Sequence, residues 1–281
     1  MLKFIKIFII SLIFAIGLTL FFSGHNIPAI NSNINIELPI IMYHSVLRDS
    51  ELSGKYIITP EILISDLEYL KENGYTSITA KQLIDYTDNG TPLPEKPILL
   101  TFDDGCYNNY EYVLPILKNY DAHGIFSIVG KYTDDYTSTN EVSTAYGYMR
   151  WIDVYNLSQS EHSEIANHSY DFHKYTTDRR ASKKRTWESV EEYRSLFKAD
   201  TEKMQTRCKN NADITPIIYT YPFGEYSKES LTVLKELGFR ISMTCNEGVN
   251  IITRDSECLY FLKRNNRPSN VETAVFFESI K

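Results

Sequence analysis

One stretch constrains the fold more than any other: Pro97-Ile98-Leu99-Leu100-Thr101-Phe102-Asp103-Asp104-Gly105. Its first half is apolar without alternation. That is the pattern of a strand buried on both faces, and such strands belong to parallel sheets covered by helices. Its second half sets two carboxylates side by side. Asp is a poor strand former, and adjacent like charges repel. The pair is therefore expected just past the strand's C-terminal end, where α/β folds gather their functional groups. Gly105 permits the sharp turn that must follow. A plain strand ending in an Asp-Gly turn accounts for one Asp and leaves the other unexplained.

Around this strand the chain alternates. Residues 38–44 form an apolar strand ending in Tyr43-His44. Thr59-Pro60-Glu61 opens a helix, with Thr as the N-cap, Pro in the first turn and an acid at the positive end; Asn73-Gly74 stops it. Further strands are expected at 76–78, 124–129, 164–166, 214–220, 240–244 and 259–263. Further helices are expected at 81–86, 111–120, 151–160, 185–209, 228–237 and 271–280. Strands alternating with helices predict a parallel α/β sheet. About seven good strands, one short of the regular number, predict a distorted (β/α) barrel.

The N-terminus differs in kind. Two lysines precede an almost wholly apolar run over residues 7–22, the pattern of a signal peptide or an uncleaved anchor. No clear small-x-small cleavage site follows, which favours retention. Residues 1–24 are thus read as signal or membrane anchor, 25–37 as a linker, and 38–281 as one domain. That domain is expected on the extracellular face of the membrane or secreted, from a bacterium with an AT-rich genome, given the richness in Lys, Ile, Asn and Tyr. A net charge of −7 argues against nucleic acid as a partner. Four cysteines, Cys106, Cys208, Cys245 and Cys258, allow three disulfide pairings, and the lack of Cys-x-x-Cys argues against a thiolate zinc site.

Two more stretches carry chemistry. Asn167-His168-Ser169-Tyr170-Asp171-Phe172-His173 follows a short strand and holds two of the chain's six histidines. Five apart, they fit neither a helix face nor a strand face, but they can converge in a loop. Two imidazoles and a carboxylate make a three-ligand divalent metal site with one position open. Asp171 is either an outer partner of that site or a turn residue. Tyr219-Thr220-Tyr221-Pro222-Phe223-Gly224 ends another apolar strand in a fixed turn. Its backbone N–H groups are placed either to face a developing oxyanion or simply to join strand to helix.

Taken in order, Thr101-Phe102-Asp103-Asp104-Gly105, His168-Ser169 through His173, and Tyr221-Pro222-Phe223-Gly224 resemble the three motifs of the polysaccharide deacetylases of the NodB-homology type, carbohydrate esterase family 4. The resemblance runs from about Leu38 to the C-terminus. It is closest to the poly-β-1,6-N-acetylglucosamine deacetylase-like branch, which shares the early Tyr43-His44, the five-residue step between histidines and a Tyr-Pro-Tyr-Gly-like third motif.

The resemblance implies a hydrolase that removes N-acetyl groups from N-acetylglucosamine units of an envelope or biofilm polysaccharide and releases acetate. It implies that Asp104, His168 and His173 hold a divalent metal, most readily Zn2+, with Co2+, Ni2+ or Fe2+ as alternatives. Asp103 would be the general base and the Phe223 backbone N–H an oxyanion donor. Tyr221, Pro222 and Trp151 would line the substrate groove, against a packed helix start for Trp151. Two departures stand out. Thr220 occupies the place where many members carry an Arg that braces the base, and no His follows His173 to act as a late acid. Arg264 is the candidate to orient Asp103, against a surface ion pair. His44 is the candidate acid, against a hydrogen-bonded strand end. His25, His123 and His162 are expected to be solvated.

The implied partners are the N-acetylated polysaccharide and, through the N-terminal segment, the membrane, with a monomeric catalytic domain. Two rival classes fit less well. A haloacid-dehalogenase-like phosphatase needs Asp-x-Asp. A glycan-binding protein on a decayed site predicts losses among the metal and base residues, and the sequence has none.

Overall fold

The computed structural model describes residues 35–280; the expectations for the N-terminal segment and for His25 fall outside them. The sheet is built from β1 (Ile40–Tyr43), β2 (Thr76–Ser77), β3 (Pro97–Phe102), β4 (Gly124–Ile128), β5 (Ser163–Asn167), β6 (Ile218–Thr220), β7 (Ile241–Met243) and β8 (Asn265–Asn266). The helices are α1 (Pro60–Glu72), α2 (Ala80–Asn89), α3 (Leu114–Tyr120), α4 (Gly130–Thr139), α5 (Trp151–Ser158), α6 (Val190–Ala212), α7 (Ser230–Glu236) and α8 (Thr273–Ser279).

The strand order is β7-β6-β5-β4-β3-β1-β8, with β2 paired to the entry of β3, and every pairing is parallel. Leu262 bridges Met243 at the β7 edge, and three residues later Asn265 pairs with Ile41 of β1. One short segment therefore touches both edges of the sheet and closes it. Because a bridge rather than a full strand makes the closure, the barrel is distorted, as the strand count predicts. The last strand is shifted from the expected 259–263. A 3-10 turn capped by Asp255 occupies Ser256–Leu259, Leu262 makes only the single bridge, and a strand forms only at Asn265.

β3 and β4 are buried along their whole length, and alternate residues point to two different cores. Ile41, Leu100, Phe102, Phe126 and Ile128 pack outward against apolar residues of α1, α3, α5 and α6. Ile40, Leu99, Ile125, Ala166, Ile218 and Ile241 pack inward with Ala80, Leu83 and Ile84 of α2. Both faces are therefore closed, and only the strand ends are left for a site.

Thr59 caps α1 as expected, its Oγ1 accepting from Ile62 N. α6 starts at Val190, five residues after the expected start, because Ser189 and Glu192 form a capping box there. α4 was not anticipated, and α3 is preceded by a π-type turn at Asn109–Val113. The early strand Ile36–Leu38 pairs antiparallel with Asn250–Ile252, so residues 36 and 37 of the expected linker are part of a strand. All four cysteines are free thiols. His123 and His162 are half-buried with ring centroids 5.5 Å apart, not solvated as expected. No helix among the described residues is long and apolar enough to cross a membrane.

Candidate active site

The C-terminal ends of β1, β3, β5, β6 and β7 converge on one cavity of about 450 Å3. β3 delivers the acid pair. Asp104 has φ 72° and Gly105 also has φ 72°, so the chain reverses at once and the two carboxylates diverge. Asp tolerates this left-handed conformation better than most residues. The divergence gives adjacent, identical side chains different partners.

Asp104 turns to the histidine loop. Its Oδ1 lies 2.9 Å from His173 Nε2 and 3.5 Å from His168 Nε2. The donor atoms of Asp104, His168 and His173 all lie within 4.8 Å of one another. The other ring nitrogens are occupied. His168 Nδ1 donates to Thr220 O at 2.7 Å. Tyr132 Oη donates to His173 O at 2.9 Å, so the hydroxyl oxygen of Tyr132 is left to accept from His173 Nδ1 at 3.3 Å. Both imidazoles therefore present the Nε2 lone pair to one point, the tautomer that metal ligands need. The spacing and the donor set fit a divalent ion bound at about 2.0–2.2 Å from each atom. Burial pushes the Asp104 carboxyl up, but the imidazoles of His168 and His173 beside it outweigh that effect and hold the group well below its ordinary value.

Asp103 turns the other way, to Arg264. The guanidinium makes a bidentate pair, Nη1 to Oδ1 at 2.7 Å and Nη2 to Oδ2 at 2.8 Å, and donates from Nε to Thr244 O at 2.9 Å. Arg264 is fully buried and Asp103 is 2% exposed, so this is no surface ion pair. Burial raises the Asp103 carboxyl, yet Arg264 and then His168 keep it below the usual carboxylate range. Thr220, at the position where the resemblance implies a bracing Arg, spends its hydroxyl on Ser127 Oγ at 2.8 Å. The brace comes instead from the segment that closes the barrel.

His44 leaves β1 into the same cavity, edge-on to Tyr56 with centroids 4.7 Å apart. Its Nδ1 is buried without a partner, unlike a hydrogen-bonded strand-end residue. Burial lowers its basicity, and the carboxylates of Asp103 and Asp104 pull it back up. Phe223 takes φ 55° and ψ 12°, a strained conformation for a bulky side chain. Its ring lies 4.4 Å from that of His173 and 4.6 Å from that of Tyr175. A Cβ at Gly224, the next residue, would lie 2.7 Å from Cys245 N, so only glycine fits this turn.

Three expected substrate-groove residues lie elsewhere. Tyr221 is fully buried and hydrogen-bonds Ser230 Oγ at 2.6 Å, within an aromatic cluster with Tyr193, Phe197 and Tyr219. Pro222 is buried and off the cavity wall. Trp151 is 4% exposed and donates from Nε1 to Asp134 Oδ1 at 2.7 Å in the outer layer. Asp171 is a turn residue, paired with Lys174 at 2.6 Å on the surface. The wall instead includes Lys55, Tyr56, Tyr175, Cys245 and Glu247. Of these, only Tyr175, two residues past a candidate ligand, had a signal in the sequence.

The chain is thus a distorted α/β barrel of the polysaccharide deacetylase type, with an Asp-His-His donor set beside an Arg-braced carboxylate. The chain belongs to the polysaccharide deacetylase family, which it matches over residues 90–242, more than half its length. It is 25% identical over 232 residues to the poly-β-1,6-N-acetyl-D-glucosamine N-deacetylase of Escherichia coli K12. That match covers 74% of this chain and 34% of the relative, so the chain spans about a third of the relative's length. Among solved structures it is similar to a de-N-acetylase from Aggregatibacter actinomycetemcomitans, with TM-score 0.73, 24% identity, and 86% of this chain and 99% of that one covered. It is also similar to the Streptococcus pyogenes deacetylase PplD in complex with acetate, with TM-score 0.69, 18% identity, and 88% and 99% covered. These two likenesses bear on the fold.

Proposed function

We propose that this chain is a divalent-metal-dependent N-deacetylase that hydrolyses N-acetyl groups of N-acetylglucosamine units in an envelope or biofilm polysaccharide. One observation carries the reading: a metal-ligating triad, a separately braced carboxylate and an unpaired imidazole open into one cavity. Asp104, His168 and His173 would hold the ion, Zn2+ in the first instance. When bound, it supplies Lewis acidity at the amide carbonyl and lowers the pKa of water from 15.7 toward about 7.

Asp103 takes the proton from the attacking water. Arg264 fixes both oxygens of Asp103 and keeps it ionised, so it stays a proton acceptor. The Phe223 N–H faces the developing oxyanion. His44 delivers the proton that the departing amine requires, since an amide anion is a very poor leaving group. The residues around it form the walls: Tyr56 and Tyr175 offer flat faces to a sugar ring, and Lys55 and Glu247 offer polar contacts. Similarity to the Escherichia coli poly-β-1,6-N-acetyl-D-glucosamine enzyme supports that polymer as substrate. The apolar run over residues 7–22 supports a domain held outside the cytoplasm, and sequencing the N-terminus of the mature protein tests whether the segment is retained.

The test is acetate release by the full-length protein from poly-β-1,6-N-acetylglucosamine, peptidoglycan fragments and chitin oligomers, with and without a chelator. Release from the first, lost on chelation and restored by Zn2+ or Co2+, is expected. No release from any of the three in the presence of metal would reject the reading.

A second measurement isolates His44. A positioned acid supplies about 10²–10⁴-fold. His44→Ala should keep metal content and lose turnover on the amide by about that much. It should lose far less on an activated ester, whose leaving group needs little protonation. Equal losses on both substrates would remove the acid role.

A further inference from the structure

We propose that Asp200, an acid on α6 outside the catalytic cavity, is the positioning residue that clamps the loop between His168 and His173 and so sets the distance between the two imidazoles. The inference rests on the metal-hydrolase reading above. The two histidines are five residues apart, and an unsupported loop of that length has no reason to aim both at one point. The loop reverses at Ser169, which has φ 69°. The next two backbone N–H groups then point at one carboxylate: Tyr170 N donates to Asp200 Oδ2 at 2.8 Å and Asp171 N to Asp200 Oδ1 at 2.9 Å. Each oxygen takes one donor. A carboxylate accepting backbone N–H groups makes shorter and stronger bonds than a neutral acceptor does.

The opposite side of the loop is held as well. Gly130 N donates to Ser169 O at 3.1 Å and Lys131 N to Tyr170 O at 2.8 Å, both from the first turn of α4. The loop is thus gripped between the start of α4 and the middle of α6. Around Asp200, α6 makes two further contacts, one with the end of β5 that leads into the loop and one with the loop itself. Thr201 O accepts from Asn167 Nδ2, and Lys203 Nζ lies 3.7 Å from the centre of the Tyr170 ring. Asp200 is the one charged acceptor among these grips. Its two bonds fall on the residues midway between the histidines, where a small rotation of the backbone moves His173 most relative to His168.

The experiment is direct Co2+ binding by the full-length protein, read by calorimetry and by the visible spectrum of the bound ion. Asp200→Asn keeps the shape but turns an NH2 group toward one of the two N–H donors. Partners behind metal ligands typically contribute 10–100-fold in affinity. Asp200→Asn is expected to weaken Co2+ binding by about that factor and to shift the spectrum, because the ligand geometry changes. A purely structural role would lower the melting temperature and leave affinity and spectrum alone.

Asp200→Glu keeps the charge and displaces it by one methylene. It is the check should the Asn variant fail to fold, and a smaller loss with the same sign is expected. Affinity within twofold of wild type in a folded variant would overturn the clamp. Failure of the wild-type protein to bind Co2+ would overturn the metal reading itself, and the clamp with it.

Discussion

His168→Ala is expected to lose bound metal and deacetylation together while the barrel stays folded. The side chain is 1% exposed and spans the site, with Nδ1 on Thr220 O and Nε2 facing Asp104. Truncation removes one of three donors and leaves a carboxylate and one imidazole, too few to hold an ion in an open site. The loss of affinity should exceed the roughly 10–100-fold typical of partners behind the ligands. The cost to stability is smaller. The Thr220 carbonyl loses a partner in a buried place, which costs about 1–3 kcal/mol. The two main cores, which include neither residue, are untouched. Metal content per chain, acetate release and melting temperature, measured on one preparation, check the claim. Unchanged metal content would remove His168 from the ligand set.

Much of this site was legible because a doubly buried strand leaves polar residues nowhere to go but its end. Pro97–Phe102 is buried throughout, so Asp103 and Asp104 had to sit at the rim, and the other motifs end strands in the same way. The strand period carries further information. Tyr219 and Tyr221 share parity, so they lie on one face, and that face packs on Tyr193 and Phe197 of α6 rather than on the cavity. Membership of a motif had pointed Tyr221 at substrate, whereas the alternation pointed it at the core.

Other features left no local trace. α4 reads Gly-Lys-Tyr-Thr-Asp-Asp-Tyr-Thr-Ser-Thr, without apolar periodicity, and its first turn is engaged by the histidine loop. Asp200 lies 27 residues after His173, on a helix that carries three other acids, Glu191, Glu192 and Glu202, and only the tertiary fold separates it from them. Arg264 could be named as a brace because a brace was missing at Thr220. That it is buried depended on where the barrel closes.

The Asp103–Arg264 pair should behave as a unit. Asp103→Asn is expected to retain metal, because Asp103 is not among the ligands, and to lose turnover by at least about 10²-fold, because the amide cannot accept the water's proton. It should also destabilise. Arg264 would remain fully buried with half its partner replaced by a donor, and breaking a buried ion pair from one side costs about 3–5 kcal/mol. Arg264→Met breaks the pair from the other side and leaves the Asp103 carboxylate buried and unbraced, at a similar cost. Removing both leaves no buried charge unpaired, and the loss of the Arg264 bond to Thr244 O remains from the guanidinium's side. The double variant Asp103→Asn/Arg264→Met should therefore be more stable than the sum of the two losses implies, with a coupling of about 0.5–3 kcal/mol. Its turnover should be no lower than that of Asp103→Asn, since Arg264 acts on the reaction only through Asp103. Denaturant unfolding and turnover of the four proteins test both halves. Additive destabilisation would mean that the pair is not coupled, and near-normal turnover of Asp103→Asn would end its assignment as the base.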